Sequence, residues 1–548
     1  GWGVTGGEAA AAPAGGARAP LDRCFYSLLS LAQALSRGMP EKEMRIEVVA
    51  DMAQRVSDRD PVCALKGTTM GLCLVIPQEM PAFTCRHLDA AHEPDEASRE
   101  VTAGQLLSEM SCAPSDASVA YRSGRRWVRK YQPVELPAPS VADLPLRERG
   151  LYLITGGLGN LGLTIANALV DLCKARLILT SRAGLPERSE WGDESASWRK
   201  DFRIDLRVRL VQDFERRGGE VLVAAVDAMD AKAMAEVVER AERKWGPLSG
   251  VIHAAGVMSG SGFQGLQGLG TEGCEQLFGP KIQGTLALAE LLDKRSADFC
   301  LLVSSLSVVL GGLGNGAYAS ANAYLDAFVA GRPAGAGTTR WFGVNWDQWN
   351  FEGDEAARGS ALARLAMTPA EGVEATRRIL ATGELTQVVV STADLESRLA
   401  QWVNPAARSR RPGQAGAEEA ELHERPELED AFVAPRNETE EQISQLWSTL
   451  LAVERVGIHD NFLDLGGHSL LAAQLLARLR GKFRVEFALD DVFRRPTVAE
   501  QAELIAERST TKSSDDREAS LKERLSKMSD AERRALLEEA RRSRREAR

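Results

Sequence analysis

The sequence has no apolar run approaching the roughly 20 residues that a membrane-spanning helix needs, so no stretch of it reads as a transmembrane segment. Its eight cysteines fall singly. Without a CxxC pair or a His/Cys cluster, neither a metal site nor a disulfide framework is expected, and the expected compartment is reducing and cytoplasmic. An excess of basic residues is missing too: 67 Lys and Arg stand against 77 Asp and Glu, a formal net charge of −10. A phosphate-binding surface needs the opposite balance, which argues against a nucleic-acid partner. Neither methionine nor a signal-peptide pattern opens the Ala/Gly-rich tract at residues 1–20, which is expected to be a linker within something longer.

What is present is ordinary globular material, 44% hydrophobic and 26% charged over 548 residues, enough for three or four domains. Residues 21–147 alternate helical and strand signals: an amphipathic helix over Cys24–Leu35, a strand over Met44–Asp51, and a helix over Met70–Pro81 closed by proline. They contain no phosphate loop, so an α/β unit without its own active site is expected. Arg125 and Arg126 are expected to cover a sheet face rather than to form a basic patch. The proline-rich stretch 136–141 reads as a linker.

From Gly150 the pattern becomes strand, glycine loop and helix. In GLYLITGGLGNLGLTIANALVDL, Gly156, Gly159 and Gly162 follow a buried strand and open an apolar helix. Tight turning and close approach of backbone to a pyrophosphate need such glycines, and a helix N-terminus favours the phosphate charge. The next strand ends at Ser181 and Arg182. An arginine there, where an acidic residue would hold ribose hydroxyls, favours the 2′-phosphate of NADPH over NADH. The stretch 186–205 reads as an exposed connection. A third strand is expected over Val221–Asp230, with Asp227 placed to bond an adenine, and a fourth over Leu248–Gly256, ending in the small residues Ala254, Ala255 and Gly256. His253, at the end of that strand, is expected to be structural.

The stretch FCLLVSSLSVVLGGLGNGAYASANAYLD, Phe299–Asp326, reads as a buried strand that breaks at Ser304 and Ser305, crosses a glycine loop and re-enters helix at Tyr318. Tyr318 and Asn322 are four residues apart and share a helix face, and the loop can bring Ser305 beside them. A phenol with a hydroxyl partner is a proton donor for a carbonyl oxygen. A helix-capping serine and a half-buried tyrosine are an equally good account of this stretch taken alone.

TGGLGNLG, the HAAG after the fourth strand and the Ser305/Tyr318 pair resemble the short-chain dehydrogenase/reductases, and more narrowly the ketoreductase domain of modular polyketide synthases. The helix reads YASAN, with Asn322 where most of that superfamily has lysine, and Lys281 lies upstream, as in polyketide ketoreductases. The resemblance implies a doubly wound Rossmann-like α/β catalytic subdomain over 148–400, paired with a truncated Rossmann-like structural subdomain over 21–147. It implies Tyr318, Ser305, Lys281 and Asn322 as the catalytic set, with Lys281 lowering the phenol pKa. It implies Thr155, Gly156, Gly157, Leu158, Gly159, Leu161, Gly162, Ser181, Arg182, Asp227, Ala254, Ala255 and Gly256 around NADPH. Val344–Trp349 and the helices after it resemble the substrate lid. Ketoreductases giving the D-hydroxy product carry a Leu-Asp-Asp motif after the fourth strand. Met258, Ser259 and Gly260 replace it here, and Leu310 stands where L-product enzymes usually have tryptophan. The missing aspartates outweigh Leu310, which can crowd one approach path, and the L product is expected.

Residues 401–432 form a second linker. Residues 433–508 resemble a small all-α, four-helix phosphopantetheine carrier domain, with Ser469 in LGGHSL as the attachment serine at a helix mouth. His468 is closer to peptidyl than to polyketide carriers, which leaves the cargo open. The charged tail 509–548 is either disordered or a docking element for the next synthase protein. Upstream condensing and acyltransferase domains, neighbouring modules and a phosphopantetheinyl transferase are the expected partners. Two other functions fit less well: a redox-silent ketoreductase scaffold around a working carrier, and a dehydrogenase acting on a free metabolite, for which a carrier has no use.

Overall fold

The computed structural model describes residues 18–39, 42–58, 60–91, 95–193, 195–258, 260–332, 339–351, 366–383 and 385–403 and, nearer the C-terminus, 425, 432–451, 453–462, 465, 475–476, 478–479, 482–483, 485, 491–492 and 495–508. The chain divides into two compact units, Gly1–Glu418 and Glu419–Arg548.

The first unit holds two sheets. The smaller has four strands in sequence order, β1 (Met44–Asp51), β2 (Phe83–Ala90), β3 (Ser118–Arg122) and β4 (Arg125–Val128). β1, β2 and β3 are parallel, and β4 returns antiparallel through a tight turn. Helices Ala64–Glu79 and Glu96–Ser111 make the crossovers. Ligand crevices in such sheets open where strand order reverses, and this order never reverses. Two boundaries differ from expectation. The first helix runs over Ser27–Gly38 after a wide π-type turn at Asp22–Tyr26, and the second starts at Ala64 rather than Met70 and carries Pro77 inside its last turn. That second helix is buried nearly all round, so its sequence lacks the one-sided stripe that marks a helix start. Arg126 bonds Glu109 (2.8 Å) and Asp116 (2.8 Å), and Glu109 also accepts from Arg86 and Tyr121. The arginine is thus tied into the sheet.

The larger sheet has seven parallel strands: β5 (Leu151–Thr155), β6 (Arg176–Ser181), β7 (Glu220–Ala225), β8 (Leu248–His253), β9 (Phe299–Ser305), β10 (Arg340–Trp346) and β11 (Gln387–Val389). Their spatial order is β7-β6-β5-β8-β9-β10-β11, which is doubly wound. The order reverses between β5 and β8, and the crevice outside their carboxyl ends is where such folds bind dinucleotides. Two expectations are corrected. β7 stops at Ala225, so Asp227 lies in the following turn, where its carboxylate accepts from the Met229 amide at 3.0 Å. Val344–Trp346 is not lid but the buried end of β10, registered against Val303–Ser305 of β9. Alternate residues there are covered on both faces, which a short apolar run cannot reveal. Residues 352–365, which follow, lie outside the described residues.

The two sheets are joined by helix packing. Helix Ala64–Glu79 lies against helix Gly316–Ala330, with Gly67 facing Ala323 and Ala327 and Gly71 facing Ala319 and Ser320. A Cβ on Gly67 would stand 2.8 Å from the Ala327 Cβ. Small residues on both helices permit this approach.

In the second unit, helix Glu438–Leu451 buries Ile443 and Trp447 among Val456, Ile458, Phe462, Leu475 and Leu479. The Trp447 and Phe462 rings meet edge to face at 4.9 Å, and helical residues recur up to 498–508. Asp460 is buried, accepts from the Gly457 amide at 2.7 Å and is bonded by Arg425 at 2.7 and 2.9 Å. Ser469, His468 and the tail 509–548 lie outside the described residues, as does most of the 401–432 linker.

Candidate active site

The glycine loop sits at the switch point. Gly156 has φ +66°, and a Cβ there would meet the Ala254 carbonyl oxygen at 2.7 Å. A Cβ on Gly162 would stand 2.6 Å from the Gly156 carbonyl oxygen. The loop therefore folds over the end of β8 and under the helix Asn160–Cys173 only with hydrogens at both positions, leaving Gly159 and Asn160 exposed at the helix mouth. These residues fit a dinucleotide: a helix N-terminus with accessible amides, reached over backbone bare of side chains. Ala254, Ala255 and Gly256 continue β8 beside it, and Leu161 is half-buried behind it. Ser181 is half-buried with its hydroxyl accepting from the Gly184 amide (3.1 Å), and Arg182 is exposed just past β6.

Two members of the expected cofactor set have other work. Leu158 is packed in the core, so only its backbone can face a ligand. Thr155 is fully buried and its hydroxyl lies 2.6 Å from His253 Nδ1. His253 Nε2 is 2.9 Å from the Pro280 carbonyl oxygen, which can only accept, so Nε2 carries the proton and Nδ1 accepts from Thr155. Burial, helped by the Lys281 charge, pushes this histidine down to about 3, so it is a neutral brace between β5, β8 and the turn holding Lys281.

Ser305, Tyr318 and Asn322 meet at the end of β9. Helix Gly316–Ala330 presents Tyr318 and Asn322 on one face, and the chain reaches it through a short turn at Ser307–Leu310. The Ser305 hydroxyl accepts from the Ser307 amide at 3.2 Å. Burial raises the Tyr318 pKa, while hydrogen bonds from Ser305 and then Asn322 draw it back. The Asn322 amide donates to the Tyr318 carbonyl at 2.9 Å, and its Oδ1 is buried with no hydrogen-bond partner in the structure. A buried acceptor left open beside the phenol suits a proton relay.

Lys281 reaches the same place from the wide turn Gly279–Gln283, where the helix from Thr271 relaxes before continuing as Gly284–Asp293. Its ammonium donates to the Val303 carbonyl at 2.6 Å and lies against Gly256. Burial pushes it down to about 8, and the Asp326 carboxyl opposes that shift. Lys281 is thus bonded two residues before Ser305 on the same strand.

Sequence reasoning missed three features. Asn345, on β10, donates to the Ser304 hydroxyl (3.0 Å), the Ser305 carbonyl (3.3 Å) and the Asp326 carboxylate (2.8 Å), fixing the strand end that carries Ser305. Met258, 76% exposed, puts its sulfur 3.9 Å from the phenol oxygen. The Phe263 ring stands 5.2 Å from the Tyr318 ring. Met258 and Phe263 lie in a loop with no periodicity to place them. Leu310, expected to crowd an approach path, is instead buried with Leu306 and Val309 against Leu395 and Leu399. Of the loop residues replacing the Leu-Asp-Asp motif, Ser259 lies outside the described residues.

Comparison with known proteins agrees with this fold. Residues 150–350 match the KR domain family model, and residues 441–505 match the phosphopantetheine attachment site model. The chain is 29% identical over 371 residues to 5-methyl-1-naphthoate synthase of Streptomyces sahachiroi, covering 66% of this chain and 20% of that protein. It is 32% identical over 297 residues to 6-methylsalicylic acid synthase of Aspergillus terreus, covering 53% and 16%. It is 28% identical over 412 residues to a phenolphthiocerol/phthiocerol polyketide synthase of Mycobacterium tuberculosis, covering 74% and 21%. The chain thus spans about a fifth or less of these curated relatives. Among solved structures, A-type ketoreductases from a modular polyketide synthase superpose with a TM-score of 0.56 at 26% identity, over 72% of this chain and 75% of theirs. The first-module ketoreductase of phoslactomycin biosynthesis in Streptomyces sp. HK803 superposes with a TM-score of 0.55 at 26% identity, over 70% and 83%. A ketoreductase domain implies NADPH, and an attachment domain implies 4′-phosphopantetheine. The chain thus carries a ketoreductase domain over 150–350 and a phosphopantetheine attachment domain over 441–505, and along this span it is similar to polyketide synthases.

Proposed function

We propose that this chain reduces a carrier-bound β-ketoacyl thioester to the β-hydroxyacyl thioester. The observation that carries the proposal is the meeting of Ser305, Tyr318 and Asn322 at the end of β9, beside the crevice between β5 and β8. NADPH, when bound along the Gly156–Gly162 loop, supplies the hydride for the β-carbon. Ser305 holds the carbonyl oxygen by hydrogen bond, and Tyr318 gives its phenolic proton to that oxygen as the carbonyl becomes an alcohol. A proton returns to the phenolate from solvent water, with Asn322 Oδ1 accepting a hydrogen bond from the water that delivers it, and the Lys281 ammonium, pushed down to about 8 by burial, favours the phenolate left behind. Arg182, past β6, pairs with the 2′-phosphate. Ser469 carries the phosphopantetheine arm, and the acyl chain arrives from condensing and acyltransferase domains in the same synthase.

The product assigned is the L-hydroxy isomer, resting on Ser259 and Gly260 at the positions of the two aspartates. Chiral chromatography of the reduced thioester from an unbranched β-keto substrate checks it, and a dominant D isomer would overturn it.

Replacing Tyr318 with Phe removes the donor and keeps the ring, so NADPH oxidation on a β-keto thioester should fall at least about a hundredfold, with NADPH affinity nearly unchanged. A variant that turns over at the wild-type rate would remove Tyr318 from the reaction. A wild-type chain that binds NADPH but never oxidises it on such substrates would instead favour the redox-silent scaffold.

A further inference from the structure

The helix Ala64–Glu79 belongs to the small sheet, yet its C-terminal end reaches both loops that flank Tyr318. Glu79 accepts from the Gly314 amide at 2.8 Å through Oε1 and from the Leu266 amide through Oε2. Its neighbour Gln78 accepts from the Gly312 amide (2.6 Å) and donates to the Leu310 carbonyl (2.7 Å). Gly311, Gly312 and Gly314 all have positive φ, so this loop has few side chains of its own to fix it. It leads directly into the helix carrying Tyr318 and Asn322. On the other side, Leu266 follows Phe263, whose ring touches Tyr318, in the loop that also carries Met258. The same loop is held from the helix Ser27–Gly38, where the Gln33 amide donates to the Leu266 and Leu269 carbonyls at 2.7 and 2.9 Å.

One carboxylate therefore ties together the loop that leads into the Tyr318 helix and the loop whose Phe263 touches the Tyr318 ring. Burial pushes it up to about 7, and the two amide bonds oppose that shift. A buried carboxyl spent on two loop amides is an expensive way to hold a surface, and an apolar side chain would fill the space without fixing the loops' spacing.

We propose that Glu79 is a positioning residue for stereochemical control, its carboxylate setting the spacing between the 258–269 loop and the 311–315 loop and thereby the path by which the ketoacyl chain reaches Tyr318. The proposal rests on the reductase reading given above. Glu79 acts through the two loops it bonds and not on the reacting atoms. The small sheet thus acts in the reaction as the template against which the groove is spaced.

The experiment compares the full chain with its Glu79→Gln and Gln33→Ala variants on an unbranched β-keto thioester. Glu79→Gln is isosteric but turns an NH2 toward one backbone amide, releasing one wall. Gln33→Ala releases the 266–269 segment from the opposite side without touching Glu79. In both, the minor hydroxy isomer should rise at least about tenfold and KM should rise more than kcat falls, since a wall displaced by about 1 Å misplaces the substrate before it disables the acid. NADPH dissociation constants should stay within about twofold. Glu79→Asp, which keeps the charge and one amide bond, should restore part of the selectivity. If Glu79→Gln does not fold, the Gln33→Ala result decides alone. Folded variants with the wild-type isomer ratio and KM would overturn the proposal. A wild-type chain inactive on every β-keto thioester would instead refute the reductase reading on which it rests.

Discussion

Gly71 is where the small sheet presses closest on the catalytic helix, and replacing it with alanine tests whether the two sheets work as one machine. A methyl carbon at residue 71 would stand 2.6 Å from the Ser320 hydroxyl oxygen, 2.7 Å from the Ala319 carbonyl carbon, and nearer still to the Ser320 amide nitrogen. Ordinary non-bonded contacts lie at about 3.5–4 Å, so helices Ala64–Glu79 and Gly316–Ala330 must part locally by about 1 Å. Two of the three obstructing atoms, including the nearest, are backbone and cannot swing aside. Overpacking of this kind costs about 1–3 kcal/mol. Ser320 sits between Tyr318 and Asn322, so the displacement passes to the proposed acid Tyr318, and misplacement by about 1 Å can cost about a hundredfold in rate. The urea midpoint should therefore drop, and kcat on a β-keto thioester should fall by about ten- to a hundredfold. Gly104 is the control: it is exposed in helix Glu96–Ser111 with nothing within 4 Å of its would-be Cβ, so Gly104→Ala should stabilise by about 0.5–1 kcal/mol and leave kcat alone. Gly71→Ala with a wild-type midpoint and wild-type kcat would refute the argument that the interhelical contact holds Tyr318 in place.

Arg182→Ala should weaken NADPH and leave NADH nearly unchanged, because only the former presents a 2′-phosphate; equal losses in titrations of both cofactors would remove Arg182 from that role. Ser469→Ala should abolish the mass gain that a phosphopantetheinyl transferase confers, while reduction of a diffusible surrogate survives; a persisting gain by intact-mass spectrometry would place the attachment elsewhere. His253 is held down to about 3 and His87 to about 4 by burial, below the free value of about 6.5, so the unfolded chain binds more protons between those limits. Their contribution to stability is complete above about pH 6.5 and is lost as pH falls toward 3, with a slope of up to about 1.4 kcal/mol per unit for each. Urea midpoints from pH 7.5 to 5 should thus fall less steeply in His253→Gln than in the wild type, and parallel curves would contradict the buried neutral histidine.

The parts of the site legible in the sequence are those whose physics is local. TGGLGNLG is contiguous, and a strand, a tight turn and a helix mouth leave their marks within about a dozen residues, so the glycine loop could be read before any fold was known. Tyr318 and Asn322 share a helix turn, and β1 has the bounds that its alternating residues indicate. Where burial covers every side, the marks vanish: the start of helix Ala64–Glu79 and the strand identity of Val344–Trp346 were hidden because apolar residues there follow neither period. Partnership was hidden more deeply. Thr155 belongs to His253, 98 residues away, and Glu79 bonds the Gly314 amide across 235 residues. No window of sequence contains both ends of such a bond, so residue type and spacing named the candidate groups, while the packing of one sheet against the other decided what each of them faces.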